Sequence, residues 1–256
     1  MAGRLSRRAA LAVPLSLGSL WSAGAFAFGD GAAFHPRLLR AGNHPPLGVR
    51  STGAGRWSWE LVRRTSAPAR LIASEVAADQ PALQAEPFAI WAGDADPGAL
   101  SAAEVRGLTR FIRLGGVLVV DDSNPGTGTF GRGARRELAR VLPESAPVRL
   151  DPGHVIFKTF YIVDRPVGRV LGPPEISAIV RGKNTQVIFL QHDLLGALAR
   201  SGEGFALETE PGGTLEQREH AVRLAVNIAM YVLCSDYKDD QVHAPFLMRR
   251  RARQKP

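Results

Sequence analysis

The chain has 256 residues, 45% of them apolar and 22% charged, with a formal net charge of +8. That balance excludes an intrinsically disordered chain and suits one sizeable globular domain. A single cysteine, Cys234, excludes an internal disulfide framework.

The first 27 residues read as an export signal. Arg4, Arg7 and Arg8 make a basic start, Ala9 to Ala25 carry no charge, and Ala25-Phe26-Ala27 supplies a small-residue cleavage site. Ser6-Arg7-Arg8 ahead of the apolar run has the pattern of a twin-arginine signal, which carries folded proteins across the membrane. The reading predicts a mature chain that starts at Phe28 and resides in the periplasm or outside the cell. An exported chain also makes nucleic acid a poor partner. No second stretch has the ~18 apolar residues of a membrane-spanning helix.

In chain order, Arg37 to Arg40 predicts a short strand. Residues 42–55 are rich in Gly and Pro and predict an irregular loop. Trp57 to Arg64 predicts a helix with Trp57, Leu61 and Arg64 on one side, and Pro87 to Ala92 a buried strand closed by Gly93-Asp94. Ser101-Ala102-Ala103-Glu104 is a capping box, in which the hydroxyl accepts a backbone N–H and the Glu reaches back. Val105, Leu108, Phe111 and Ile112 then fall on one helical face. Gly115-Gly116 stops that helix, and Val117 to Val120 predicts a strand buried on both faces. Strand, helix, Gly-Gly, strand is the order of a parallel crossover unit. Residues 124–133 predict a Gly-rich surface loop before a helix over Gly133 to Leu142. Ile176 to Val180 and Gln186 to Leu190 predict two strands joined by a turn at Gly182-Lys183-Asn184. A Gly-rich loop over 201–213 leads to a second capping box, Thr214 to Gln217, and to a last helix ending near Cys234, whose thiol is expected to be buried. The expected organisation is a signal over 1–27, one α/β domain over 28–240, and a basic, disordered tail over 241–256. Arg249, Arg250, Arg251, Arg253 and Lys255 give that tail a means of peripheral contact with an anionic membrane.

Gly115-Gly-Val-Leu-Val-Val-Asp-Asp122 after the capped helix, His154-Val-Ile-Phe-Lys-Thr-Phe-Tyr161, and Asn227-Ile-Ala-Met-Tyr231 in the last helix resemble the bacterial domain of unknown function family 4159. The likeness spans residues 34–235. It implies a mostly parallel sheet with helices on both faces, of the flavodoxin-like, class I glutamine-amidotransferase-like type. It also implies an envelope protein partner, in systems of MoxR-type ATPases and von Willebrand A-domain proteins. Amidotransferases of this architecture use a Cys at a strand-to-helix elbow. Cys234 lies in the final helix instead, and no G-x-S-x-G elbow replaces it.

Ligands of open α/β sheets bind at the carboxyl ends of the strands. Three predicted strands end in acids, namely Asp94, Asp121 with Asp122, and Asp193, and His192 adjoins the last. Ser123 follows the middle pair, and His154 opens the aromatic stretch. On parallel neighbouring strands the acids would converge on one rim and, with the imidazole, offer a divalent-cation site, general acid/base groups, or helix caps and loop ties. Strand alternation puts Asp121 and Asp122 on opposite faces, Asp121 closing the strand and Asp122 in the turn. Trp57-Ser58-Trp59 beside Arg63-Arg64 is either core anchoring or a stacking surface. No metal-ligand spacing or cofactor fingerprint is present in the sequence, so neither metal nor cofactor is expected. The favoured reading is an exported, non-catalytic amidotransferase-like scaffold that binds a partner or ligand in the envelope. The alternative is a metal-assisted or acid/base hydrolase working from the acidic rim.

Overall fold

The computed structural model describes residues 33–43 and 45–252, with side chains described as far as Ser235. The signal-like stretch 1–27 lies outside the described residues. The elements in chain order are β1 (Arg37–Arg40), α1 (Thr52–Thr65), β2 (Ser74–Ala77), β3 (Phe88–Gly93), α2 (Ala102–Arg113), β4 (Val117–Asp122) and α3 (Thr129–Val141). They continue with β5 (Val148–Arg149), β6 (Ser177–Arg181), β7 (Asn184–Leu190), α4 (Leu194–Leu198), the small hairpin β8 (Arg200–Ser201) and β9 (Gly204–Phe205), and α5 (Leu215–Ala252).

Seven strands form one sheet in the order β2-β1-β3-β4-β7-β6-β5. The first five run parallel, and β6 and β5 are antiparallel additions at one edge. The chain steps outward from β1 to β2, then crosses to β3 on the other side, so the switch in strand order lies between β1 and β3. Two apolar cores cover the two faces. Trp57 and Leu61 of α1, the whole of α4 and the inner side of α5 pack with Phe88, Ile90, Val117 and Val119. Leu108, Phe111 and Ile112 of α2 and Phe130, Ala134 and Leu138 of α3 pack with Ala89, Trp91, Leu118 and Val120. Alternate residues of β3 and β4 therefore serve opposite cores, the pattern of a strand covered on both sides. This is a mixed, mostly parallel α/β fold of flavodoxin-like type.

The capping box at α2 forms in both directions, between Ser101 and Glu104. The hairpin of β6 and β7 turns through Gly182, whose φ of 62° is left-handed. Several expectations are corrected. The loop over 42–55 is partly helical, because a 3-10 turn at Gly48–Ser51 runs into α1 at Thr52. Gly53 lies in the helix, and the position requires glycine because a Cβ there would overlap the Leu195 carbonyl beside it. The Gly-rich loop before α3 likewise ends early, at Gly128, and Thr129 already starts the helix. β2 was not foreseen; Ser-Glu-Val-Ala is a mixed edge sequence without an apolar run. At the start of α5, Thr214 accepts from the Gln217 N–H, but the Gln217 amide does not return the bond. It donates instead to the carbonyls of Gly168, Arg169 and Glu210. Cys234 is exposed rather than buried, two positions beyond Val232 and so turned away from the inward stripe. α5 runs from Leu215 to Ala252, past the expected end near Cys234.

Candidate functional site at the carboxyl rim

β3, β4 and β7 are parallel neighbours, so their carboxyl ends meet on one rim. Asp121 and Asp122 both lie within β4 and are both fully buried, so Asp122 closes the strand rather than standing in the turn. Their side chains go to opposite layers, as alternation requires. Asp121 accepts from the N–H groups of Leu194 (2.9 Å) and Leu195 (2.8 Å) at the start of α4. Asp122 accepts from Asn124 and, across the other face, from Gly131 in the first turn of α3, each at 3.0 Å. One dipeptide thus caps a helix on each side of the sheet.

Asp193 follows β7 with a left-handed backbone, φ 51° and ψ 58°, which Asp tolerates better than most residues. Its carboxylate is fully buried and accepts from Gly196 N at the start of α4. Arg50 grips it with two bonds, 2.8 and 2.9 Å, and Arg169 bonds it from the opposite loop. Arg50 arrives on the 3-10 turn ahead of α1, and Arg169 on the segment whose amides pair with His192 and Asp193 carbonyls. The acids are thereby roofed by two long-range loops.

Burial, and then the neighbouring Asp193 charge, push the Asp121 carboxyl up to about 7 against the pull of its two N–H donors. Burial also raises Asp122. Burial pulls His192 down to about 4, so the ring is neutral at pH 7. Its Nδ1 accepts from Gln191 N and its Nε2 donates to the Pro173 carbonyl, which fixes the tautomer.

The remaining candidates separate from this cluster. Asp94 is exposed and bonds to none of the rim groups. Ser123 is buried, and its hydroxyl has no hydrogen-bond partner among the described residues, so no base is placed to activate it. His154 lies elsewhere: its Nδ1 accepts from Ile156 N, and its Nε2 pairs with Thr185 Oγ1 at 3.1 Å. Thr185 N in turn donates to the Tyr231 hydroxyl at 2.7 Å, and Asn227 binds the backbone of Phe160 and Tyr161. These contacts dock the 154–161 segment onto α5 and β7. Trp57 is core, with its Nε1 donating to the Ala225 carbonyl, whereas Trp59 is partly exposed.

The open space at this edge of the sheet lies elsewhere. A cleft of about 720 Å³ sits over the ends of β1 and β2, beside the switch in strand order, lined by Arg40, Leu47, Glu75, Asp79 and Glu104. Of these, Glu104 alone was singled out in the sequence, as a capping residue; in the fold it also accepts from Gly42 N at 2.7 Å. The others carry no local motif. Among the described residues no group of three or more His, Cys, Asp or Glu is arranged to hold a metal ion, and no helix is long and apolar enough to cross a membrane.

The sheet order and the roofed rim define a flavodoxin-like α/β protein whose rim acids are bonded to its own backbone and arginines. The pattern of the domain of unknown function DUF4159 matches residues 49–233, and the chain belongs to that family. Comparison with curated proteins gives no match.

Proposed function

We propose that this chain is an exported, non-catalytic scaffold of amidotransferase-like type that engages a partner in the bacterial envelope. The observation that carries the reading is the saturation of the rim: Asp121, Asp122 and Asp193 spend their oxygens on N–H groups and guanidinium groups of the chain itself. A general acid or base must reach a substrate proton, and here two loops stand in between. The one feature that favours acid/base chemistry is the raised Asp121, and both its oxygens are bonded to the protein. The partner class follows from the family resemblance, a component of a MoxR-type or von Willebrand A-domain system. Export rests on the Arg7-Arg8 pattern and the apolar run behind it.

Two measurements test this. Changing Arg7 and Arg8 together to Lys blocks appearance of the chain in the envelope fraction, because the export receptor distinguishes the two cations at equal charge. Cross-linking in intact cells yields a discrete heteromeric species in that fraction, and Asp121→Asn leaves its yield unchanged. Export of the double-Lys variant at parental level rules out the twin-arginine route. A monomeric chain with a turnover that Asp121→Asn abolishes replaces the scaffold with an enzyme.

A further inference from the structure

Away from the rim, the outer face of α1 carries an apolar surface that no described element covers. Trp59 and Val62 stand out from the helix, each 39% exposed, and the segment after it adds Leu71 and Ile72, the latter 85% exposed. The chain doubles back along α1 and brings Leu71 alongside the helix at Gly55. The Leu71 carbonyl sits 3.0 Å from where a Gly55 Cβ would lie, and Val62, Ser66, Pro68 and Arg70 line one shallow depression of about 570 Å³. Scattered exposed apolar residues need no explanation, but a contiguous set does.

The frame of this patch is cationic. The Arg56 and Arg63 guanidinium groups lie 3.9 and 4.8 Å from the centre of the Trp59 ring. Both share one buried carboxylate, Glu60, with Arg64, so three cations are set against a single charge there. Arg64 finds a second acid in Glu219. Arg200, on the adjoining hairpin, stacks on Phe205 and bonds a backbone carbonyl rather than a carboxylate. Arg70, at the depression, pairs with Glu86 but keeps 46% of its side chain exposed.

The geometry points to a docking face for an anionic phospholipid surface, with Trp59, Val62, Leu71 and Ile72 entering the headgroup boundary and Arg63, Arg70 and Arg200 meeting the phosphates. A ring that is apolar in body and polar at its tip suits that boundary, and arginine stems lie along apolar surface while their heads stay with charge. The apolar groups spread across a helix crest and a returning loop instead of lining a groove, which fits an extended surface better than a single peptide strand. This face is separate from the rim, and the inference is independent of the scaffold reading.

The test uses the full chain with vesicles that contain a photoactivatable phospholipid, in mixed phosphatidylglycerol and phosphatidylcholine or in phosphatidylcholine alone. Cross-linked positions are located by mass spectrometry. Cross-links within residues 59–72 are expected on the anionic vesicles, decreasing as salt is raised. Ile72→Asp combined with Arg63→Ser should reduce them about tenfold with an unchanged melting temperature, since both side chains are exposed. Cross-links confined to residues 1–32 and 236–256 overturn the proposal, as does equal labelling on neutral vesicles. Binding of poly-glutamate but not of vesicles through the same residues replaces the lipid with an acidic protein partner and also overturns it.

Discussion

Two places on the carboxyl side of one sheet differ in what surrounds their acids. At the ends of β4 and β7, three carboxylates are buried, bonded to the starts of α3 and α4, and roofed by Arg50 and Arg169. Over β1 and β2, Glu75 and Asp79 line an open cleft, and the Glu75–Arg40 pair is long, 3.7 Å, and more than half exposed. The contrast teaches that an acid at a strand end is not yet a site. The β4–β7 acids replace hydrogen bonds that helix starts would otherwise lack, whereas the β1–β2 acids are free to meet something else.

The largest way to break this comparison is to destroy the platform it stands on. Val119 is fully buried in the central strand β4, between β3 and β7. Val119→Asp puts a carboxylate where neither water nor a partner exists, at a cost comparable to the ~5–15 kcal/mol stability of a domain. Loss of the cooperative unfolding transition in circular dichroism is expected. A variant that melts within a few degrees of the parent would remove the central-strand argument.

Next comes the closed rim itself. Asp193→Ala removes the carboxylate held by Arg50 and Arg169 and places Ala in a left-handed conformation. Breaking a buried pair in this way costs about 3–5 kcal/mol in denaturant unfolding. Asp193→Asn keeps a residue that tolerates the backbone and keeps a capping oxygen, so its cost should be smaller, about 2 kcal/mol. It also removes the charge that adds to burial in raising Asp121, whose carboxyl should then titrate somewhat lower. Equal costs for the two variants would mean that the backbone, not the charge, holds the rim.

The pH dependence sharpens the same point. His192 is pulled down from 6.5 to about 4, so its contribution is complete above pH 6.5 and is lost as pH falls through 4. That loss is on the order of 3 kcal/mol. Asp121 is raised from 3.8 to about 7, so its contribution is complete below 3.8 and is lost as pH rises through 7. Between these limits the two groups oppose each other, and their contributions to the slope should largely cancel. Asp121→Asn should leave stability rising with pH across that interval, and His192→Gln should leave it falling. Parallel profiles for the two variants would show that neither group titrates as its burial requires.

What was legible in the sequence was local. The Ser101–Glu104 cap, the apolar run of β4 and the turn between β6 and β7 each depend on residues within a few positions; the cap and the run formed as read, and the turn closed one residue sooner, with Asn184 already paired to Arg181. What failed depended on distant partners. Gly53 reads as a loop residue until the Leu195 carbonyl is beside it. Arg50 reads as loop decoration until it meets Asp193, a residue 143 positions away. The strand ends were placed correctly in order, but nothing near Asp121 announces that two loops will close over it. The exposure of Cys234 was missed because its apolar neighbours suggested a buried face, although the helical stripe it would have to join had already passed at Val232.

The smallest effect belongs to the open cleft, and there a near-null result is the informative one. Glu75→Gln breaks an exposed, long ion pair, and such pairs contribute about 0–1 kcal/mol. Stability should therefore change by less than about 0.5 kcal/mol, the usual range for surface substitutions away from special features. Glu104 lines the same cleft but has a different duty, since its carboxylate accepts from the backbone N–H groups of Gly42 and Ser101. Glu104→Ala frees both donors and should cost about 1–2 kcal/mol, as loss of a helix cap does. The pair of measurements divides the cleft into one wall that holds the fold and one that is available to a ligand. A cost for Glu75→Gln as large as that for Glu104→Ala would mean the cleft is built like the rim, and the contrast between the two places would disappear.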